Sequence, residues 1–192
     1  MTVHPIEAES YRILEERVDL SPFGPLARAV VSRIVHASAD PEYASTVVTG
    51  EAELAAGVDA LRSGAPVIAD VEMVRHGIRG VDARCYLGTA AQPPTGLTRS
   101  AAAMRVAAER HRAGAVFVVG CAPTALFELV RLHAAGEVQP ALVIGLPVGF
   151  VGASDAKKAL RASGVAAVSN VGEKGGSAVA AAAANALVRL AC

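Results

Sequence analysis

The stretch Ala115-Val116-Phe117-Val118-Val119-Gly120-Cys121-Ala122-Pro123-Thr124 decides the fold. Its first five residues are all apolar, and three of them are β-branched. No polar residue marks a solvated face, which is how a strand buried on both sides reads. Gly120 ends the run, and Pro123 suits the first turn of a helix, where a missing N–H has no partner to lose. A buried strand that turns tightly into a helix is the repeating unit of a parallel α/β sheet. The pattern recurs at residues 66–71, 83–87, 141–144 and 165–170, which makes five candidate strands with 115–119. Helical segments are expected at 51–62, 97–113, 124–135, 154–162 and 178–190. Gly64, Gly114, Gly136 and Gly164 stand where helices should stop. Two further helices, about 7–18 and 25–37, precede this alternation and are split by Leu20-Ser21-Pro22-Phe23-Gly24. The expectation is one α/β domain over 1–192, a mostly parallel five-stranded sheet covered by helices with an N-terminal helical segment.

Composition narrows the partners. The chain has 192 residues, a single-domain length, and 53% of them are hydrophobic, enough for a full core. Eighteen basic and eighteen acidic residues cancel, so no global field draws the protein to nucleic acid or to an anionic membrane. Aromatic residues make up 4% and Trp is absent, which argues against base-stacking platforms. Cys85, Cys121 and Cys192 form no CxxC pair, against a structural zinc site or a disulfide framework and in keeping with a reducing cytoplasm. The N-terminus carries no basic stretch followed by an apolar run, so no signal peptide is expected. The longest apolar run, 178–188 broken by Asn185, falls short of the ~20 residues a membrane span needs. A soluble, cytoplasmic protein is the expectation.

Ligands of open α/β sheets gather where strands end and helices begin. Three such junctions are rich in Gly and Pro: 120–124, 145–152 and 172–177. Backbone N–H groups at such turns can hold phosphate or carboxylate. Nucleotide fingerprints do not fit. Two glycines separate Lys174 from Ser177, against the Gly-Lys-Ser/Thr of a P-loop, and Gly145, Gly149 and Gly152 do not follow GxGxxG. Each glycine alone is open to a plain reading as a tight turn or close packing. Three junctions on one sheet edge favour a carboxylate-rich ligand.

Among the histidines, His4 lies near the terminus, and His111 and His133 fall in last helical turns, where the helix dipole favours an imidazolium. His76 sits in a turn after the first strand, with its role open. His36 ends an amphipathic helix, one turn beyond Arg33 and four residues before Asp40. Asp40 could orient the imidazole, but Pro41 pushes it out of helical geometry. Asp-Pro-Glu reads more readily as a helix cap. Spacing alone leaves His36 more readily structural than chemical.

Several blocks, taken in order, carry a family likeness. They include Ile6-Glu7 with Ser10, Arg33-Ile34-Val35-His36-Ala37, Asp70-Val71-Glu72-Met73-Val74 with Gly77-Ile78, and Thr98-Arg99-Ser100. Ala122-Pro123-Thr124-Ala125-Leu126, the runs 140–145 and 147–153, Gly175-Gly176-Ser177-Ala178 and Asn185-Ala186-Leu187 complete them. Over residues 6–187 the sequence resembles the precorrin-8X methylmutase family and its cobalt-precorrin-8 counterpart, from corrin (cobalamin) biosynthesis. Cys121 stands where the family usually carries Asn, Asp155-Ala156-Lys157 where it carries Glu-Ser-Lys, and the 77–99 segment is shorter than usual.

The resemblance implies a nucleotide-binding-like α/β layer that works as a homodimer with its sites near the interface. It implies an isomerase that needs no cofactor and no metal, moving one methyl group within ring C of a tetrapyrrole. The product is hydrogenobyrinate, or cobyrinate when cobalt is already present. The catalytic histidine of the family falls on His36, and its substrate-contacting Ser and Arg on Ser10 and Arg99. Arg33 and Thr98 join the set as neighbours of the matched residues. A carrier that binds the pigment without turnover is the competing reading. A sigmatropic shift needs no outside nucleophile or redox partner, but protonating the chromophore favours it, and imidazole is the side chain that holds an exchangeable proton near neutrality. Arg99 can meet a substrate carboxylate bidentately.

Overall fold

The computed structural model describes residues 4–192. Val116, Phe117, Val118 and Val119 form a strand with all four side chains buried. They alternate between two cores, Val116 and Val118 facing one and Phe117 and Val119 the other. This is why the run shows no polar alternation: both faces of the sheet are covered. Burial of a side chain the size of Phe117 contributes roughly 1.5–3 kcal/mol.

The sheet has six strands: β1 (Val47–Val48), β2 (Val67–Ala69), β3 (Ala83–Cys85), β4 (Val116–Val119), β5 (Leu142–Gly145) and β6 (Ala167–Asn170). Their order is β1-β6-β5-β4-β2-β3. Five strands are parallel, in registers such as Val67↔Val116, Val116↔Leu142 and Val143↔Ala167. The sixth, β1, runs antiparallel to β6, pairing Val47 with Asn170. The expected five-stranded sheet is thus corrected to a mixed sheet of six. A two-residue strand is too short to show any period, so β1 left no readable signal. The parallel part follows the doubly wound order in which the chain reverses direction between its first and third strands, here β2 and β4.

Nine helices accompany the sheet among the described residues: α1 (Pro5–Arg17), α2 (Pro25–Ser38), α3 (Tyr43–Thr46), α4 (Glu51–Arg62), α5 (Glu72–Gly77), α6 (Arg99–Arg110), α7 (Pro123–Ala134), α8 (Ala153–Ala162) and α9 (Ser177–Ala191). A 3₁₀ turn, Leu87–Ala90, leads toward α6. One layer holds α6, α7 and α8; the other is centred on α9, which packs against α2, α4, α5 and the middle strands. Nine of the fifteen residues of α9 are buried, six of them alanine. Alanine favours helix and lets neighbouring backbones approach. The single-domain α/β layer expected from the strand pattern is therefore present, with α1 resting on α2 at its side.

Candidate active site

Two local devices set α2 in place. Pro25 opens the helix, and the Glu51 carboxylate of α4 accepts the free N–H groups of Ala27 (2.8 Å) and Leu26 (3.2 Å). Val30, Val31 and Ile34 bury one stripe of the helix, and Arg33 and His36, one turn apart, face α1. On α1, Glu7, Ser10 and Tyr11 share one face by the same three- and four-residue spacing. The Ser10 Oγ lies 2.9 Å from His36 Nδ1. The Tyr11 ring stacks on the imidazole, with centroids 4.6 Å apart and planes 9° from parallel. Arg33 Nη1 donates to the Tyr11 hydroxyl and to Glu7 Oε1, both at 3.1 Å.

The histidine is thus held at one nitrogen and against one face. With Nδ1 taken by Ser10, Nε2 is the nitrogen left for a ligand. A cavity of about 150 Å³ opens beside the ring, with Ser10, Ile13, Val35, Ala39 and Pro41 on its walls. Tyr11 and Glu7 complete this arrangement; Glu7 stands in the Ile6-Glu7 block of the family likeness with no role attached to it, and Tyr11 stands in no block. The helical spacing of Tyr11 from Glu7 was the signal that could have found them.

The other two expected residues lie on the opposite layer. Thr98 caps α6, its Oγ1 accepting the Ala101 N–H at 3.2 Å and sitting 2.7 Å from the Thr124 Oγ1 of α7. Arg99 follows as the exposed first residue of α6. Beside them is a second cleft of about 390 Å³, walled by Leu97, Thr124, Phe127 and Arg131. Ser10, Arg33 and His36 are therefore brought together, whereas no hydrogen bond or ion pair among the described residues joins them to Thr98 or Arg99.

The glycine-rich junctions hold a surprise at the chain-reversal point. Asp70, 2% exposed, accepts the N–H groups of Gly120 (3.1 Å), Cys121 (2.9 Å) and Ala122 (3.0 Å). Burial pushes its pKa up, and the backbone donors pull against that. The amides expected to hold an external anion are occupied by the chain's own carboxylate. The second and third junctions are tied to each other, Gly149 N–H to Glu173 O at 3.2 Å and Gly176 N–H to Leu146 O at 2.9 Å. Phe150 and Val151 project from the second junction, 91% and 90% exposed.

The remaining histidines are engaged locally. His111 meets the Tyr86 hydroxyl at 2.7 Å, and burial, followed by Arg84 and Arg110, pushes its pKa down. That reverses the expectation of an imidazolium favoured by the helix end, because burial and two guanidinium charges outweigh the dipole. His133 Nδ1 pairs with Val138 O, and His76 Nδ1 with Glu72 O. Asp40 does not orient His36: its Oδ1 accepts the Glu42 N–H at 3.1 Å, serving the turn into α3.

The fold is a doubly wound α/β layer that carries, beside a cavity, a histidine–hydroxyl pair buttressed by Tyr11 and Arg33. Residues 5–190 match the family described as precorrin-8X methylmutase, and the chain belongs to that family. It is 38% identical over 180 residues to the cobalt-precorrin-8 methylmutase of Methanocaldococcus jannaschii, covering 92% of this chain and 84% of that one. It is 38% identical to the precorrin-8X methylmutase of a Sinorhizobium species, covering 96% and 93%. The crystal structure of the Thermus thermophilus precorrin-8X methylmutase superposes with a TM-score of 0.86 at 38% identity, over 98% of each chain. The chain is an enzyme of corrin biosynthesis, an isomerase that moves a methyl group within its substrate.

Proposed function

We propose that His36 is the general acid of this methyl shift, acting on precorrin-8X or cobalt-precorrin-8 to give hydrogenobyrinate or cobyrinate. The observation that carries the assignment is the Ser10–His36 contact at 2.9 Å beside an open cavity. In the charged imidazolium Nδ1–H donates to the Ser10 hydroxyl oxygen, and the second ring proton stands on Nε2. That proton is lent to the chromophore while the methyl leaves one ring-C carbon and bonds to its neighbour. The reaction is an isomerisation, so the proton returns and no electrons enter or leave. Tyr11 and Arg33 keep the ring from rotating away, and a placed general acid contributes about 10²–10⁴-fold in rate.

The substrate is a large macrocycle with several carboxylates, whereas the cavity beside His36 holds about 150 Å³. Sites for much smaller ligands run to roughly 300–1,000 Å³. A homodimer supplies the rest, with Thr98 and Arg99 binding substrate carboxylates. All three cysteines are free thiols, in keeping with a cytoplasmic location. Anaerobic incubation of either tetrapyrrole with a hundredth of an equivalent of protein tests the reading. Complete conversion of the absorption spectrum supports an enzyme of this specificity; a change that stops at one equivalent marks a pigment carrier.

A further inference from the structure

The turn that follows His36 is strained and is held from a distance. The cap of α2 is Ala39, a non-glycine residue in the left-handed region at φ 52°. Such a conformation persists where its surroundings over-determine it. Ala39 and Pro41 form one wall of the His36 cavity, and between them stands Asp40. Ser38 Oγ bonds back to Ile34 O at 2.9 Å and accepts the Asp40 N–H at 3.2 Å. From the loop between β6 and α9, Lys174 Nζ donates to Asp40 Oδ2 and to Glu42 Oε2, both at 2.6 Å.

The root of Lys174 is itself anchored. Its carbonyl accepts Lys157 Nζ at 2.6 Å and Asn170 Nδ2 at 3.0 Å, and Lys157 is 0% exposed. The next residue, Gly175, passes so close to the chain that a Cβ there would lie 2.3 Å from Leu146 O. The two acidic side chains hold the Lys174 ammonium firmly in its charged form. A rigid line thus runs from the sheet through Lys174 to the wall of the cavity.

Resting on the methylmutase reading above, we propose that Lys174 is a positioning residue that fixes the Ala39–Pro41 wall against His36. Exposed ion pairs contribute little stability. The effect of this one is geometric, since a misplacement of about 1 Å in an active site can cost 10²-fold in rate.

The test compares wild type, Lys174→Ala, Lys174→Arg, Asp40→Asn and the Asp40→Asn/Lys174→Ala double variant in the anaerobic assay. Lys174→Ala is expected to lower kcat about tenfold or more, with KM within about threefold of wild type. Lys174→Arg restores most of kcat, and the double variant is no slower than Lys174→Ala alone. An unchanged kcat, or a raised KM at full kcat, overturns the proposal; the latter would make Lys174 a substrate contact. Absence of turnover in wild type would instead strike the methylmutase reading. The His36 Cε1–H NMR signal then still decides: shifted or broadened in Lys174→Ala and restored in Lys174→Arg supports the strut, and identical in all three proteins refutes it.

Discussion

Ser10 Oγ and His36 Nδ1 stand 2.9 Å apart although 26 residues separate them in sequence, so α1 supplies the partner that orients a side chain of α2. Removing the hydroxyl leaves Tyr11 stacked on the ring but frees Nδ1. Ser10→Ala is expected to fold as wild type and to lose about three- to tenfold in kcat, the worth of one hydrogen bond of roughly 0.5–1.5 kcal/mol. Steady-state kinetics checks this, and a full kcat would mean that the contact does not set the ring.

Arg99 stands exposed at the start of α6, beside the Thr98–Thr124 pair. In the role proposed for it, its guanidinium would hold a substrate carboxylate equally in ground and transition states. Arg99→Ala should therefore raise KM at nearly constant kcat. Equal KM values for the two proteins would show that the side chain does not meet substrate.

Asp70 closes the chain-reversal point by accepting three backbone N–H groups with two oxygens. Asparagine keeps the shape but turns a donating NH₂ toward at least one of those donors. Asp70→Asn is expected to lower unfolding free energy by about 2–4 kcal/mol, the cost of a buried donor facing a donor. Urea denaturation measures it; a loss below about 0.5 kcal/mol would mean that the carboxylate is not what holds the loop.

Lys157 gives the fold an uncommon alkaline signature. Burial first, with Arg161 adding to it, pushes its pKa down from the ordinary 10.5 to about 8. Between those values the unfolded chain holds more protons than the folded one, so this lysine makes stability rise with pH. Below pH 8 the lysine is charged in both states and the burial penalty is complete. Cys85 and Cys121, whose thiols burial pushes up, act in the opposite sense. Comparison with Lys157→Met removes their contribution. The stability difference, wild type minus variant, should climb by about 3 kcal/mol from pH 8 to 10.5. A flat difference in urea unfolding would contradict it.

Much of the fold was legible because buried parallel strands carry an unbroken apolar run: residues 115–119 became β4 with only Ala115 outside it. The helix expected over 97–113 is shorter, Arg99–Arg110, because Thr98 caps it and the chain leaves helical geometry at His111. β1 was illegible because its two residues owe their pairing to β6, not to their own pattern. At the site, local spacing could place Arg33 and His36 on one helix face, but nothing local joins His36 to Ser10; only the family likeness set them together. Lys157, Lys174 and Asp70 act through contacts between 13 and 134 residues away, which no local pattern encodes.

The most direct measurement is the turnover of His36→Ala under anaerobic conditions with substrate in large excess. The account predicts a folded protein that still binds the pigment and converts it about 10²–10⁴-fold more slowly than wild type. Turnover within about twofold of wild type would contradict it, because the methyl shift would then proceed without the proton that His36 is assigned to lend.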